Sequence, residues 1–409
     1  MLGNAIRSAF PVFERRFGGT PAAFFDGPGG SQVPRPVIDA VAGYLAYHNA
    51  NTHGAFQTSD ETDRILFGAR ERVAELLGAA GPDEVVFGAN MTTLTFAVSR
   101  ALAPGWGEGD ELIVTELDHQ ANVAPWRRVA EDRGMTVRVV PFDPETMQLD
   151  YAALESLLSP RTRLVAIGAA SNAVGTINDV ARVTRLAREA GALSYVDAVH
   201  YTPHRRVDVQ ALGCDFLACS AYKFFGPHVG ILWGRQELLE QIRPYKVPPA
   251  ADTAPERWET GTLNHEGIAG TAAAVDWIAS LSGTGEGAAR RDALDRAYAA
   301  IEAHEGLLVE RLLAGLRAIP QVRVYGPPAG AQRTPTVAFT VEGHTPEDVA
   351  GILAEEGVFV WNGNFYATTV CEKLGLEGSG GLIRAGLAPY NTEEDVDRLL
   401  AEVTRMVEE

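Results

Sequence analysis

Cysteine is scarce in this chain: Cys214, Cys219 and Cys371 are the only 3 thiols in 409 residues. An odd number cannot all pair within one chain, and no CxxC or histidine spacing accompanies them to make a metal set. No charged-then-apolar signal segment opens the sequence either, so the expected home is a reducing cytoplasm. Basic residues are also few. Against 53 Asp and Glu stand 35 Lys and Arg, a formal net charge of -18 with a pI near 5.0, which argues against nucleic acid or an anionic membrane as partner. Missing too is any uninterrupted apolar run near the roughly 20 residues that span a bilayer. There is no internal repeat or low-complexity tract. An anionic ligand of so acidic a chain must be caught by local donors.

What is present is the balance of a globular protein, 46% apolar and 22% charged. At 409 residues the chain exceeds one compact core, so a large and a smaller domain are expected. "TDRILFGARERVAELLGA" sets Ile65, Leu66, Ala69, Val73, Leu76 and Leu77 on one helical face, with Asp60 or Thr62 available as cap. Strands follow: "EVVFGA", "ELIVTEL", "TVRVVPF", "RLVAIGAAS", "LSYVDAV", "FLACSAY" and "GILWGR". Helical stretches such as "DVARVTRLAREAG" separate several of them. Alternating strands and helices predict an α/β domain, a mostly parallel sheet of these seven strands with helices on both faces. From about residue 285 a long charged helical stretch leads to "VRVYG", "PTVAFTV", "VFVWNG", "LIRAGL" and a closing helix "TEEDVDRLLAEVTRMVEE". That reads as a smaller α+β domain. The division expected is 1–30 as an N-terminal segment joining the small domain or the active site, 31–284 as the large domain and 285–409 as the small one.

In open parallel sheets ligands sit at the carboxyl ends of strands. Five such ends supply Thr92, His119, Asn172, Asp197 with His200, and Ser220 with Tyr222 and Lys223. Lys223 is the odd residue of "LACSAYKFFGPHVGILWG", a cation among aromatics, where desolvation favours the neutral amine. "GWGEGD" and "GTGEGA" also carry glycines, but neither lies between a strand and a helix in a βαβ unit, which argues against a dinucleotide site.

The segments "FDGPGGSQVP", "FGANMTTLTF", "DAVHYTPH", "CSAYKFFGPH" and "ETGTLNHEGIAG" resemble the class V aminotransferase family of pyridoxal-phosphate enzymes, in its cysteine desulfurase and selenocysteine lyase branch. The resemblance runs from about Phe24 to the C-terminal helix. It implies the fold-type I transferase fold with a doubly wound, seven-stranded large domain, pyridoxal 5'-phosphate as cofactor, an amino acid as the small-molecule substrate, and a homodimer with shared active sites. It further implies that Lys223 forms the Schiff base and shuttles the proton, and that Asp197 pairs with the pyridinium nitrogen. His119 lies over the ring. Asn172 and His200 contact the ring hydroxyl, His200 replacing the usual glutamine. Met91, Thr92, Ser220 and Tyr222 hold the phosphate, Tyr222 standing where desulfurases commonly have histidine, and Thr262 reaches the partner subunit's phosphate. Arg384 in "GLIRAGLAPYNT" forks the substrate α-carboxylate, with Asn364 and Tyr366 as further substrate contacts.

One departure from the family is informative. Desulfurases carry a mobile-loop cysteine that becomes a persulfide, and in "VWNGNFYATTVCEKLGL" Tyr366 falls near that position, with Cys371 five residues later in apparent helix. Cys371, Cys214 and Cys219 are expected as buried packing residues. The activity implied is therefore a lyase that cleaves the β C–S bond of a cysteine derivative by α,β-elimination, without a persulfide. The same cofactor also permits an aminotransferase, an epimerase or a decarboxylating deaminase. A non-catalytic scaffold is opposed by intact Lys223, Asp197 and Arg384.

Overall fold

The computed structural model describes residues 2–17, 19–285 and 287–408; Met1, Gly18, Glu409 and Glu286 of the "GTGEGA" stretch lie outside them. Helix α1, Gln57–Leu77, buries Leu66, Ala69, Val73, Leu76 and Leu77 and ends on Gly78 at φ 69°. The cap differs from expectation. The helix opens after Phe56, so Asp60 and Thr62 lie inside it, where Asp60 faces the positive end of the helix dipole and Thr62 donates to the His48 carbonyl at 3.1 Å.

Seven strands form the central sheet: β1 Val85–Gly88, β2 Glu111–Thr115, β3 Thr136–Val140, β4 Thr162–Gly168, β5 Leu193–Asp197, β6 Phe216–Ser220 and β7 Gly230–Gly234. Their order is β1-β7-β6-β5-β4-β2-β3, and only β7 runs against its neighbours β6 and β1. Both faces are covered, which is why the strands read as unbroken apolar runs rather than alternating ones. Period-2 geometry divides them between two cores. Val85, Phe87, Ile113, Val196 and Leu217 join one core with α1, α4 Val180–Glu189 and α5 His265–Ser280. Val86, Leu112, Val114, Tyr195 and Phe216 join the other with α2 Met91–Leu102 and α3 Ala124–Arg133.

After α6, Arg290–Ala318, comes an antiparallel sheet of β8 Val322–Tyr325, β9 Thr336–Val341, β10 Trp361–Gly363 and β11 Leu382–Gly386, in the order β8-β9-β11-β10. Helices α7 Pro346–Glu355 and α9 Glu393–Glu408 pack on it, while α8 Thr368–Leu374 lies between β10 and β11 in the chain. The stretch "VFVWNG" is not one strand. It divides at Val360: Val358–Phe359 pairs in parallel with Ala23–Phe24, and Trp361–Gly363 pairs with β11. The N-terminal segment is thereby stitched to this sheet, and Asp26 is bridged to Gly386.

A buried ion pair ties α1 to the loop that carries Thr262. Arg70 donates from Nη1 and Nη2 to both Glu259 oxygens, at 2.8 and 2.6 Å, and the Phe87 N–H donates to Glu259 Oε1 at 2.8 Å. Removing one partner strands the other charge without solvent. Arg70→Met should therefore lower stability by about 3–5 kcal/mol, read as a shift in the urea midpoint. An unchanged midpoint would show that the pair is dispensable.

Candidate active site

The site is assembled where β1, β2, β4, β5 and β6 end. Ser220 closes β6, and its Oγ accepts the Met91 N–H at 3.1 Å, so the start of α2 is bonded to the turn that carries Lys223. This contact needs Gly230, which pairs with both Ser220 and Gly88; a Cβ there would come within 2.5 Å of the Asn90 backbone. Asn90 caps α2 by accepting the Thr93 N–H at 2.9 Å. With those two N–H groups taken, the Thr92 N–H and hydroxyl are left for a ligand at a helix N-terminus.

A cavity of about 760 Å³ opens there. It is lined by Met91, Thr92, His119, Asn172, Asp197, His200, Ser220, Tyr222, Lys223, Asn364, Tyr366 and Arg384. Thr262 is the one candidate that lies outside it, exposed in the loop before α5. Lys223 Nζ donates to the Pro28 carbonyl and sits 4.9 Å from the Tyr222 ring centroid; that ring stacks on His228 at 4.9 Å. Arg384, buried on β11, reaches across to donate to the Asn172 carbonyl at 2.9 Å. His119 Nδ1 accepts the Ala121 N–H at 2.9 Å, which puts the proton of the neutral ring on Nε2. His200 lies with Nε2 3.0 Å from each of the Thr334 and Thr336 hydroxyls.

Burial dominates the electrostatics. It lowers the Lys223 amine to about 7, assisted by the Arg384 charge and opposed by Asp197 and Asp26. It raises Asp197 to about 6, although the Val199 N–H donates to its carboxylate at 2.9 Å and Lys223 lies near. It lowers His119 to about 4, with Lys223 and Arg384 adding to the effect, and pushes Arg384 down to about 9. Arg384 Nε and Asn172 Oδ1 are buried with no partner among the described residues. A cavity with such orphaned polar atoms fits a ligand carrying both charge and hydrogen-bonding groups.

Several residues here gave no role to the sequence reading. Asp118, just before His119, is buried and raised to about 7; it accepts the Gly168 N–H at 2.8 Å and Asn122 Nδ2 at 2.9 Å. Its strand-end position in "DHQANVAPW" was the available signal. Asp26 of "FDGPGG" is raised to about 6 by burial and faces Arg384 and Lys223.

The segment Asn364–Ala367 is a tight clasp. Phe365 and Tyr366 are consecutive left-handed residues, at φ 55° and 58°. Each conformation costs on the order of 1–3 kcal/mol, so the surroundings must hold it. They do: Asn172 Nδ2 donates to the Phe365 carbonyl at 2.8 Å, and the Gln120 N–H donates to the Tyr366 carbonyl at 2.8 Å. Asn364 Oδ1 accepts the Tyr366 N–H at 3.1 Å. The Phe365 ring lies 4.1 Å from the Arg384 guanidinium. Cys371 is buried in α8, as expected of a packing residue, yet it also lines the cavity; burial and then Glu377 and Glu372 raise its thiol to about 11.

The pattern of the family described as Aminotransferase class-V matches residues 23–399. The chain is 33% identical to a cysteine desulfurase of Dickeya dadantii, over 98% of this chain and 96% of that protein. It is 34% identical to a probable cysteine desulfurase of Pseudomonas aeruginosa, over 100% and 99%. Among solved structures, the apo cysteine desulfurase of Thermococcus onnurineus superposes with a TM-score of 0.90 at 29% identity, covering 100% of this chain and 98% of that one. The cysteine desulfurase CsdA of Escherichia coli does so at 0.85 and 29%, covering 99% and 98%. The chain belongs to the class V aminotransferase family, and its fold is that of the fold-type I pyridoxal-phosphate enzymes. It is a pyridoxal-phosphate-dependent enzyme, similar along its whole length to cysteine desulfurases.

Only a neutral amine attacks an aldehyde, and Lys223 loses its proton near pH 7 rather than near 10.5. Cofactor-free protein mixed with pyridoxal phosphate and quenched with borohydride should yield pyridoxyl-lysine at position 223. Its initial rate should climb about tenfold per pH unit below 7 and level off above about 8. A midpoint near 10, or label on another lysine, would overturn the assignment.

Proposed function

We propose that this enzyme is a pyridoxal-phosphate-dependent lyase that cleaves the β C–S bond of a cysteine derivative by α,β-elimination, as a cytoplasmic homodimer and without an enzyme persulfide. One observation carries the reading: Lys223, Asp197 and Arg384 line a single cavity whose one thiol among the described residues, Cys371, is held protonated. The names of the relatives support C–S chemistry.

The residues present fit the cofactor. Asp197 would hold the ring nitrogen, His119 would cover the ring, and Asn172 and His200 would contact the ring hydroxyl. Met91, Thr92, Ser220 and Tyr222 would take the phosphate. When bound, pyridoxal phosphate supplies the electron sink for charge left at Cα. Arg384 holds the substrate carboxylate through its free Nε, fixing Cα beside Lys223. Lys223 Nζ, neutral at its lowered pKa, takes the Cα proton. The ionised Asp197 keeps the ring nitrogen protonated. The Cβ–S electron pair then leaves with sulfur. Net consumption of water gives the thiol, pyruvate and ammonium.

Desulfuration through a persulfide needs a thiolate that reaches the substrate sulfur, and a thiol with a pKa of about 11 is a poor source of one. In the place of a loop cysteine stands Tyr366. Thr262, exposed and outside its own cavity, serves the neighbouring subunit's phosphate in this reading. The small unit, 285–409 with the N-terminal segment 1–30, closes over substrate. All described cysteines are unpaired and buried, which suits a reducing compartment.

Cys371→Ala should keep turnover of the true substrate within about threefold of wild type, less than about 1 kcal/mol of barrier, while Lys223→Ala abolishes it. A persulfide trapped on Cys371 during turnover, with activity lost in Cys371→Ala, would make the protein a desulfurase instead.

Subunit mixing tests the shared site. Lys223→Ala and Thr262→Ala subunits combine into heterodimers in which one site carries both lesions and the other neither, so activity should partly return on mixing. A fully active monomer in solution would remove the claim.

A further inference from the structure

With the α-carboxylate on Arg384 and Cα beside Lys223, in the lyase reading on which this inference rests, the substrate's sulfur substituent faces the remaining lining. Two large aromatic side chains on that lining are open in the single subunit, Trp361 at 48% exposure and Tyr366 at 69%. Both are fixed in place. Trp361 is the register partner of Arg384 across β10 and β11. Its indole lies so close over Gly29 that a Cβ there would come within 2.1 Å of Nε1. Tyr366 is clasped through its N–H and its carbonyl, in a left-handed conformation, with its ring tilted 31° to His119 at 5.3 Å. Strain of this kind persists where the surroundings over-determine it, and here its product is a rigid aromatic wall at a cavity mouth.

We propose that the sulfur of the physiological substrate carries an aromatic or heteroaromatic group that packs against Trp361 and Tyr366, making this a lyase for aryl-type cysteine S-conjugates rather than for free cysteine. Free cysteine has nothing to lay on these rings. An aryl substituent does, and its thiolate is a better leaving group than an alkyl thiolate because its conjugate acid is stronger. Atoms balance as for any such elimination. Lys223 takes the Cα proton, the Cβ–S bond breaks with its electron pair on sulfur, and one water converts the remaining fragment to pyruvate and ammonium. The thiolate takes up the proton.

The test is a comparison of S-phenyl-L-cysteine, S-methyl-L-cysteine and L-cysteine on the holoenzyme, following pyruvate and released thiol. The S-phenyl conjugate should exceed the other two in kcat/KM by about tenfold or more, the discrimination an apolar pocket gives. In Trp361→Ala and Tyr366→Ala the S-phenyl to S-methyl preference should fall roughly fivefold or more through KM. A second readout needs no turnover: by calorimetry, L-homophenylalanine, which has no leaving group, should bind about tenfold more tightly than L-alanine. Pyruvate from every conjugate without preference, or preference unmoved by both variants, overturns this inference alone. No pyruvate from any of them overturns the lyase reading beneath it.

Discussion

Three residues from distant parts of the chain close a circuit around one guanidinium. Arg384 on β11 donates to the Asn172 carbonyl, Asn172 donates to the Phe365 carbonyl, and the Phe365 ring lies against Arg384. Each contact is ordinary in strength, but together they fix where the antiparallel sheet sits against the carboxyl ends of the parallel one. The cavity exists because those two sheets meet there. The guanidinium enters a buried place with a carbonyl and an aromatic face against it, and the negative charge of Asp26 favours its charged form. Its remaining Nε is the part left for a ligand.

The same enclosure governs the other charges. Lys223, Asp197, Asp118 and Asp26 are all moved by burial toward their neutral forms, the amine down and the carboxyls up. Groups balanced in this way change protonation at little cost near neutral pH, which is what proton transfer at a carbon asks of its neighbours. Backbone donors to Asp197 and Asp118 limit the shift without cancelling it.

Much of this was legible in the sequence because its signals are local. Seven apolar, mostly branched-residue runs gave the seven strands of the central sheet, since a sheet covered on both faces leaves no polar alternation to confuse them. Polar residues just beyond those runs line the cavity because parallel strands end together. What escaped is what depends on distant partners. The division of "VFVWNG" at Val360 follows from its pairing with Ala23–Phe24, which no local pattern encodes. The start of α1 after Phe56 rather than at an Asp or Thr cap reflects the Asn51–Ser59 turn, where Ser59 Oγ donates to the Asn51 carbonyl and accepts the Gly54 N–H. Asp26 and Asp118 drew no reading at all, because what sets them apart is their burial in the fold. The hydroxyls beside His200 come from Thr334 and Thr336, more than a hundred residues away in the chain.

The buried state of Cys214, Cys219 and Cys371 carries a consequence for sulfur itself. Enclosure pushes the thiols of Cys219 and Cys371 up to about 12 and about 11, so little thiolate is present on either at neutral pH. In the lyase reading proposed above, the sulfur freed in the cavity leaves as a diffusible small molecule rather than on the protein.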